Sequence, residues 1–187
     1  MEESKNRLEN MSTTNLTILV KDANILIDLI RLGLLPHFFD LKYEFHITDL
    51  VLHNEFYPEQ LESLAPYIDN GTLQVYKVTG EDLFQIAQIQ QMHGQLSDKD
   101  CSALHLATSL SAILVTSDKQ LRLTAESKGR EVHGHLWVFD QMVDQGTITG
   151  KRAASKLEEL CNVINNKLGL PEQECKARIK KWKKLKN

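Results

Sequence analysis

Apolar positions along this chain switch between short continuous runs and helical spacing. Residues 17–21 (TILVK) open with an unbroken apolar run and predict a buried strand. Over 23–33, Ile25, Leu26, Leu29, Ile30 and Leu32 follow helical spacing until Gly33 weakens it, and Pro36 sits in a second short turn. Residues 44–47 (EFHI) predict the next strand, and Thr48 or Asp49 caps a helix running through Phe56. Pro58 opens another short helix. Asn70-Gly71 marks a turn before a strand at 73–78. Residues 81–93 predict an amphipathic helix with Leu83, Phe84, Ile86, Ala87 and Ile89 on its inner side. Ser97 starts a helix at 98–111, with Ala103, Leu104, Leu106, Ala107 and Leu110 inward. Then come a buried strand at 113–115, a helix at 118–127 and a short strand at 131–133. Three helical segments close the chain, near 135–145, 150–167 and 171–185.

Short apolar strands alternating with helices predict a parallel sheet sandwiched between helices. Parallel strands are buried on both faces, which suits continuous runs such as the two ILV triplets. Ligands of open sheets bind beyond the carboxyl ends of the strands. Three regions are expected: a mobile arm at 1–15, a sheet domain at 16–146, and a helical extension at 147–187 with a basic tail.

At 187 residues with 42% apolar and 25% charged side chains, the chain can bury one sizeable core. No apolar run is long enough to span a membrane. The polar, acidic first residues resemble no targeting peptide. Three cysteines without metal spacing read as reduced thiols, so a cytoplasmic protein is expected. The net charge of −3 hides an asymmetry. Residues 176–187 hold 7 of the 22 basic residues and no acid, leaving 15 basic against 25 acidic over 1–175. Such a tail suits phosphate contacts by Lys180, Lys181, Lys183 and Lys184; the plainer reading is a frayed, solvated helix.

Four acids stand where such a sheet would bind a ligand. Asp22 follows ILVK, Glu55 lies on the helix after the second strand, Asp100 begins the helix at 98–111, and Asp118 follows ILVTS. If the strands carrying Asp22 and Asp118 are neighbours, all four converge. Two such charges about 4 Å apart repel by about 4 kcal/mol at an effective dielectric of 20, so a cation must offset them or one must take up a proton. Oxygen ligands without His or Cys suit Mg²⁺ or Mn²⁺. Each acid also has a plain structural role available. Asp22 and Asp118 can cap helices, Asp100 can join Ser97 in a capping box, and Glu55 can simply face water.

The strings LVKDANILIDLIRLGLL, ITDLVLHNEF, LSDKDCSALHLA and ILVTSDKQLR resemble, in order and spacing, the signature segments of PIN-domain nucleases, VapC-type toxins among them. The resemblance covers about residues 17–140. It implies a PIN-like three-layer α/β sandwich, here with a C-terminal helical extension. It also implies a metal-dependent endoribonuclease leaving 5′-phosphate and 3′-hydroxyl ends. By that mapping Asp22, Asp100 and Asp118 hold Mg²⁺ or Mn²⁺, and Glu55 helps position metal or water. Asn24, Thr116 and Ser117 orient the carboxylates; the family more often has Asn at the place of Ser117. Asp98 is the alternative to Asp100, and Asp49 to Glu55. RNA, an antitoxin that inserts a basic side chain among the acids, and a second copy of the chain are the implied partners. Truncating residues 171–187 is expected to weaken RNA binding and flatten its salt dependence.

Other chemistry lacks support. His53, His93 and His105 form no zinc pattern, and His105 reads as a core or rim histidine. Cys101 reads as a small buried residue, and Trp137 and Trp182 as packing residues. No dinucleotide, nucleotide-phosphate or nucleophile-elbow motif is present. A non-catalytic RNA- or protein-binding module is the second reading. A phosphatase of small phosphoesters is the third, without the paired acids of a DxD start.

Overall fold

The computed structural model describes residues 16–185. The expected arm at 1–15 lies outside the described residues, as does Lys186. Five strands form one parallel sheet: β1 (Leu16–Val20), β2 (Tyr43–Thr48), β3 (Leu73–Tyr76), β4 (Ile113–Val115) and β5 (Val132–His133). Their order is β3-β2-β1-β4-β5. The chain therefore builds outward from β1 on one side, then returns to lay β4 against its other edge. Val20 pairs with Val115, so the carboxyl ends of β1 and β4 lie side by side. That is the switch point where open sheets bind ligands.

Successive strand residues face opposite ways. Ile18, Val20, Ile113 and Val115 join one apolar core. Helices α1 (Ala23–Leu32), α2 (Leu35–Phe39), α8 (His135–Asp144) and α9 (Gly150–Glu159) pack into it. Leu19 and Leu114 face the other way, toward α6 (Asp98–Ser109) and α7 (Lys119–Ser127). α5 (Gly80–Met92) packs on α6. Helices α3 (Asp49–Glu55) and α4 (Pro58–Asp69) fill the crossover between β2 and β3. This is an α/β sandwich of three layers.

Most local signals act where they were expected. Gly33 ends α1 in the left-handed region at φ 66°, where an L side chain is strained. Thr48, not Asp49, caps α3: its Oγ1 accepts from the Val51 amide. The helix at Pro58 is longer than expected, twelve residues with Pro66 inside, because Leu61, Leu64, Tyr67 and Ile68 keep an apolar stripe. The expected helix 150–167 is instead α9 followed by a π-helical turn over Leu160–Ile164, closed by the Asn165 amide on the Leu160 carbonyl. The last helix, α10, covers Glu172–Trp182.

Two inward assignments are corrected. α5 turns Asp82 and Ile86 to the core and leaves Leu83, Phe84 and Ala87 exposed, with Phe84 at 63%. Asp82 takes the inward place because it caps its own helix and also receives hydrogen bonds from Tyr76 and Thr79. An inward Asp82 fixes the stripe 82, 86, 89 and rotates Leu83 and Phe84 outward. Leu110 is also exposed, since it lies past the last turn of α6.

The C-terminal segments are built into the main core. Ala153, Ala154, Leu157, Leu160, Cys175 and Trp182 join the apolar cluster that holds β1. The tail is thus not a frayed helix up to Trp182, which is fully buried.

Candidate active site

The chain turns at the carboxyl ends of β1 and β4 place Asp22 and Asp118 on one rim. Both are helix N-caps with extended backbone, which aims each carboxylate back over the sheet edge. With Lys21, Asn24, Glu55 and Ser117 they line a pocket of about 440 Å³. A larger cavity of about 660 Å³ lies elsewhere, between α10 and the π-helical turn. Its acids, Glu158 and Glu172, are paired with Lys183 and Lys176, so the chemistry points to the smaller pocket.

Asp22 uses both oxygens. Oδ1 accepts from the Asn24 amide at 3.0 Å and Oδ2 from the Ser117 amide at 2.9 Å. Asn24 thus steadies the acid through its backbone, while its exposed side chain lines the pocket. Asp118 Oδ1 accepts from the Leu121 amide at 2.7 Å, and the buried Thr116 hydroxyl accepts from the Asp118 amide at 3.1 Å. Asp118 itself is exposed. Asp100 is buried at 8% exposure, and its Oδ2 accepts from the Ser97 amide and hydroxyl at 2.9 and 2.7 Å. The cap roles available to Asp22, Asp100 and Asp118 are therefore all filled, and the same positions bring the acids to the strand ends.

The alternatives point elsewhere. Asp98 is exposed and makes no ion pair with Lys21, whereas Asp100 does. Asp49 accepts from the Val78 amide, two residues past β3. Glu55 Oε1 lies 2.9 Å from Lys99 Nζ and 4.0 Å from Lys21 Nζ.

Lys21 stands among these acids and was not singled out from the sequence. Its Nζ lies 2.7 Å from Asp100 Oδ1, with only 12% of the side chain exposed. This ion pair is the contact that Asp100 Oδ1 makes among the described residues. Burial pushes the ammonium down, but Asp100, Glu55 and Asp22 outweigh it and hold Lys21 above its ordinary range. Burial likewise pushes Asp100 up, and Lys21 with Ser97 holds it below the usual carboxylate range. The signal was a lysine closing an apolar strand directly before an acid.

A second group missed by the sequence reading supports the pocket wall. Ser117 Oγ lies 3.1 Å from His135 Nδ1, and His135 Nε2 lies 3.1 Å from Asp28 Oδ2. The Asn165 amide group donates to the same Asp28 oxygen at 3.0 Å. Asp28 and His135 are 2% and 3% exposed, so both rely on these protein partners in place of water. The clue was Asp28 on the apolar face of LIDLI.

Of the histidines considered earlier, His105 sits at the rim of α6, its Nε2 2.8 Å from Asp82 Oδ1. Cys101 is buried, as is Trp182, and the half-buried Trp137 stacks on His133. Lys180, Lys181 and Lys184 are exposed on α10 or just past it, and Lys183 pairs with Glu158 at 2.7 Å. None of these four lysines lines the acid pocket.

The donor set suits a hard divalent ion by chemistry, being oxygen only. No three His, Cys, Asp or Glu side chains among the described residues stand close enough to cage an ion. That excludes a closed zinc-type cage in this arrangement. Mg²⁺ needs only one or two carboxylates and keeps its waters, which Asp22 and Asp118 can provide.

No helix among the described residues is long and apolar enough to cross a membrane. The sequence pattern of the DUF3368 family, described as a PIN domain, matches residues 18–184. No curated protein matches the chain.

Proposed function

This chain belongs to the PIN-domain family, and from that membership we propose that it is a metal-dependent endoribonuclease. The observation that carries the reading is the pairing of β1 with β4, which puts Asp22 and Asp118 on one open rim beside Glu55. Asp22 and Asp118 would hold Mg²⁺ or Mn²⁺ at the open rim with Glu55 beside them, and Asp100, the third acid of the motif mapping, would join only on release from Lys21. A bound divalent ion would supply an activated water and offset the charge building on the phosphoryl group. The chain's own part is placement. The Ser117 and Asn24 amides fix the Asp22 carboxylate, and Thr116 fixes the turn that carries Asp118. The Lys180, Lys181, Lys183 and Lys184 group would contact the RNA backbone, adding affinity without sequence choice.

A toxin role extends this reading. The four motif segments support it, and so does the open rim, where an antitoxin's Arg or Lys could meet the acids. Expression from an inducible promoter should then arrest growth, and D118N should relieve the arrest. A homodimer belongs to the same proposal, and sedimentation of the purified chain tests it.

The second reading, a non-catalytic binding module, has one observation in its favour: Lys21 already neutralises Asp100 and part of Glu55 without any ion. Purified protein incubated with a pool of labelled single-stranded RNA and Mn²⁺ or Mg²⁺ separates the two. Cleavage lost with EDTA and in D118N supports the nuclease. RNA bound but uncut across the pool supports the module.

A further inference from the structure

We propose, resting on the metal-dependent reading above, that Lys21 is a built-in counter-ion that competes with the divalent ion for the acid pocket and so sets this chain's metal affinity. Acids gathered at one sheet edge need a positive charge or a proton to offset their repulsion. The chain supplies one from its own side chains: Lys21 Nζ lies 2.7 Å from Asp100 Oδ1 and 4.0 Å from Glu55 Oε1. Asp100 Oδ1 is buried with no partner besides this ammonium among the described residues, so the ammonium is what compensates it. Lys21 also lines the pocket together with Asp22, Glu55 and Asp118.

The device has a fixed part and a movable part. The Lys21 and Asp22 amides both bond the Val115 carbonyl, at 3.2 and 3.4 Å, which pins the backbone to β4. The side chain beyond it is a flexible four-carbon stem carrying a compact charge. Its charge would repel any divalent ion that Asp22 and Asp118 held. Asp100 and Glu55 would be available to such an ion only with the ammonium turned away. Lys99, already 2.9 Å from Glu55, can hold that acid in either state.

The test is Mn²⁺ binding by the full chain, read from the free-ion electron paramagnetic resonance signal and from calorimetry. K21M is expected to bind Mn²⁺ at least about tenfold more tightly than the parent, because a competing charge is gone. K21R keeps the charge and should stay within about threefold. K21Q keeps a donor toward Asp100 and should tighten binding as K21M does, even if K21M folds poorly. Without metal, K21M should melt below the parent, and Mn²⁺ should raise its melting point by more than it raises the parent's. Mn²⁺ binding by the parent that is unchanged or weaker in K21M and K21Q would overturn this inference alone. No Mn²⁺ binding by the parent or by either variant would overturn the metal reading with it.

Discussion

Ser117 and Asp22, 95 positions apart, are joined by a single hydrogen bond: the Ser117 amide donates to Asp22 Oδ2 at 2.9 Å. With the Asn24 amide on Oδ1, this engages both Asp22 oxygens. Asparagine has one acceptor oxygen, so D22N must abandon either the α1 cap or the Ser117 tie, at a cost of about 1–2 kcal/mol. D100N is compromised too, because its amide or its oxygen must give up Lys21 or Ser97. Asp118 needs one oxygen for its cap, and its Oδ1 supplies that bond. D118N should therefore keep its unfolding free energy, read from urea melts, within about 0.5 kcal/mol of the parent while losing RNA cleavage. Cleavage retained in D118N would remove Asp118 from the reacting groups.

The carboxylate of Asp82 governs acid stability away from the pocket. The Thr79 hydroxyl and amide hold it well below the usual carboxylate range, with His105 and Tyr76 adding to them against burial. Because the folded value is depressed, this stability is fully present above the unfolded value of about 4. It is lost as pH falls toward the folded value. D82N should cost about 2 kcal/mol at pH 7. The gap between parent and variant should narrow in urea melts taken at successively lower pH below about 4. A gap that stays constant would show that the charge on Asp82 adds nothing.

Trp182 makes truncation of residues 171–187 a poor probe of RNA binding, because it removes a fully buried side chain from the core. W182A should cost about 3–5 kcal/mol. W182F should cost far less, since the buried indole N–H has no hydrogen-bond partner among the described residues. G150A should also destabilise, because a Cβ there would overlap the Trp182 carbonyl oxygen. The tail's charge is better tested by the triple variant K180Q/K181Q/K184Q, which leaves Trp182 in place. Its stability should stay within about 0.5 kcal/mol of the parent, and its salt slope for single-stranded RNA should fall by about 2. An unchanged slope would return these lysines to ordinary solvated surface.

The thiols should be inert in the folded chain. Burial, with Asp100 and Asp98 adding to it, pushes Cys101 up to about 11, and burial with the neighbouring Cys175 does the same for Cys161. At pH 8 both should alkylate slowly with iodoacetamide and rapidly in urea, read by peptide mass mapping. Fast labelling of Cys101 in the folded protein would contradict its burial.

Much of this molecule was legible from its residues. Continuous apolar runs and helical spacing located the strands and most helices, because both are local properties of the chain. The acids after ILVK and ILVTS were visible as acids at strand ends. His135 and Asp28 were not legible as a pair, since 107 positions separate them and only packing brings their ring and carboxylate to 3.1 Å.

The sequence by itself determined a parallel sheet wrapped by helices, with carboxylates at its carboxyl edge. Only the tertiary structure decided that β4 lies beside β1, which makes Asp22 and Asp118 neighbours. It also decided that Asp82, and not Leu83 or Phe84, faces the core, and that Lys21 is the cation among the acids. The physical reason is the same in each case. Spacing specifies which residues share a face, but the partner of that face, and of any buried charge, comes from distant chain segments.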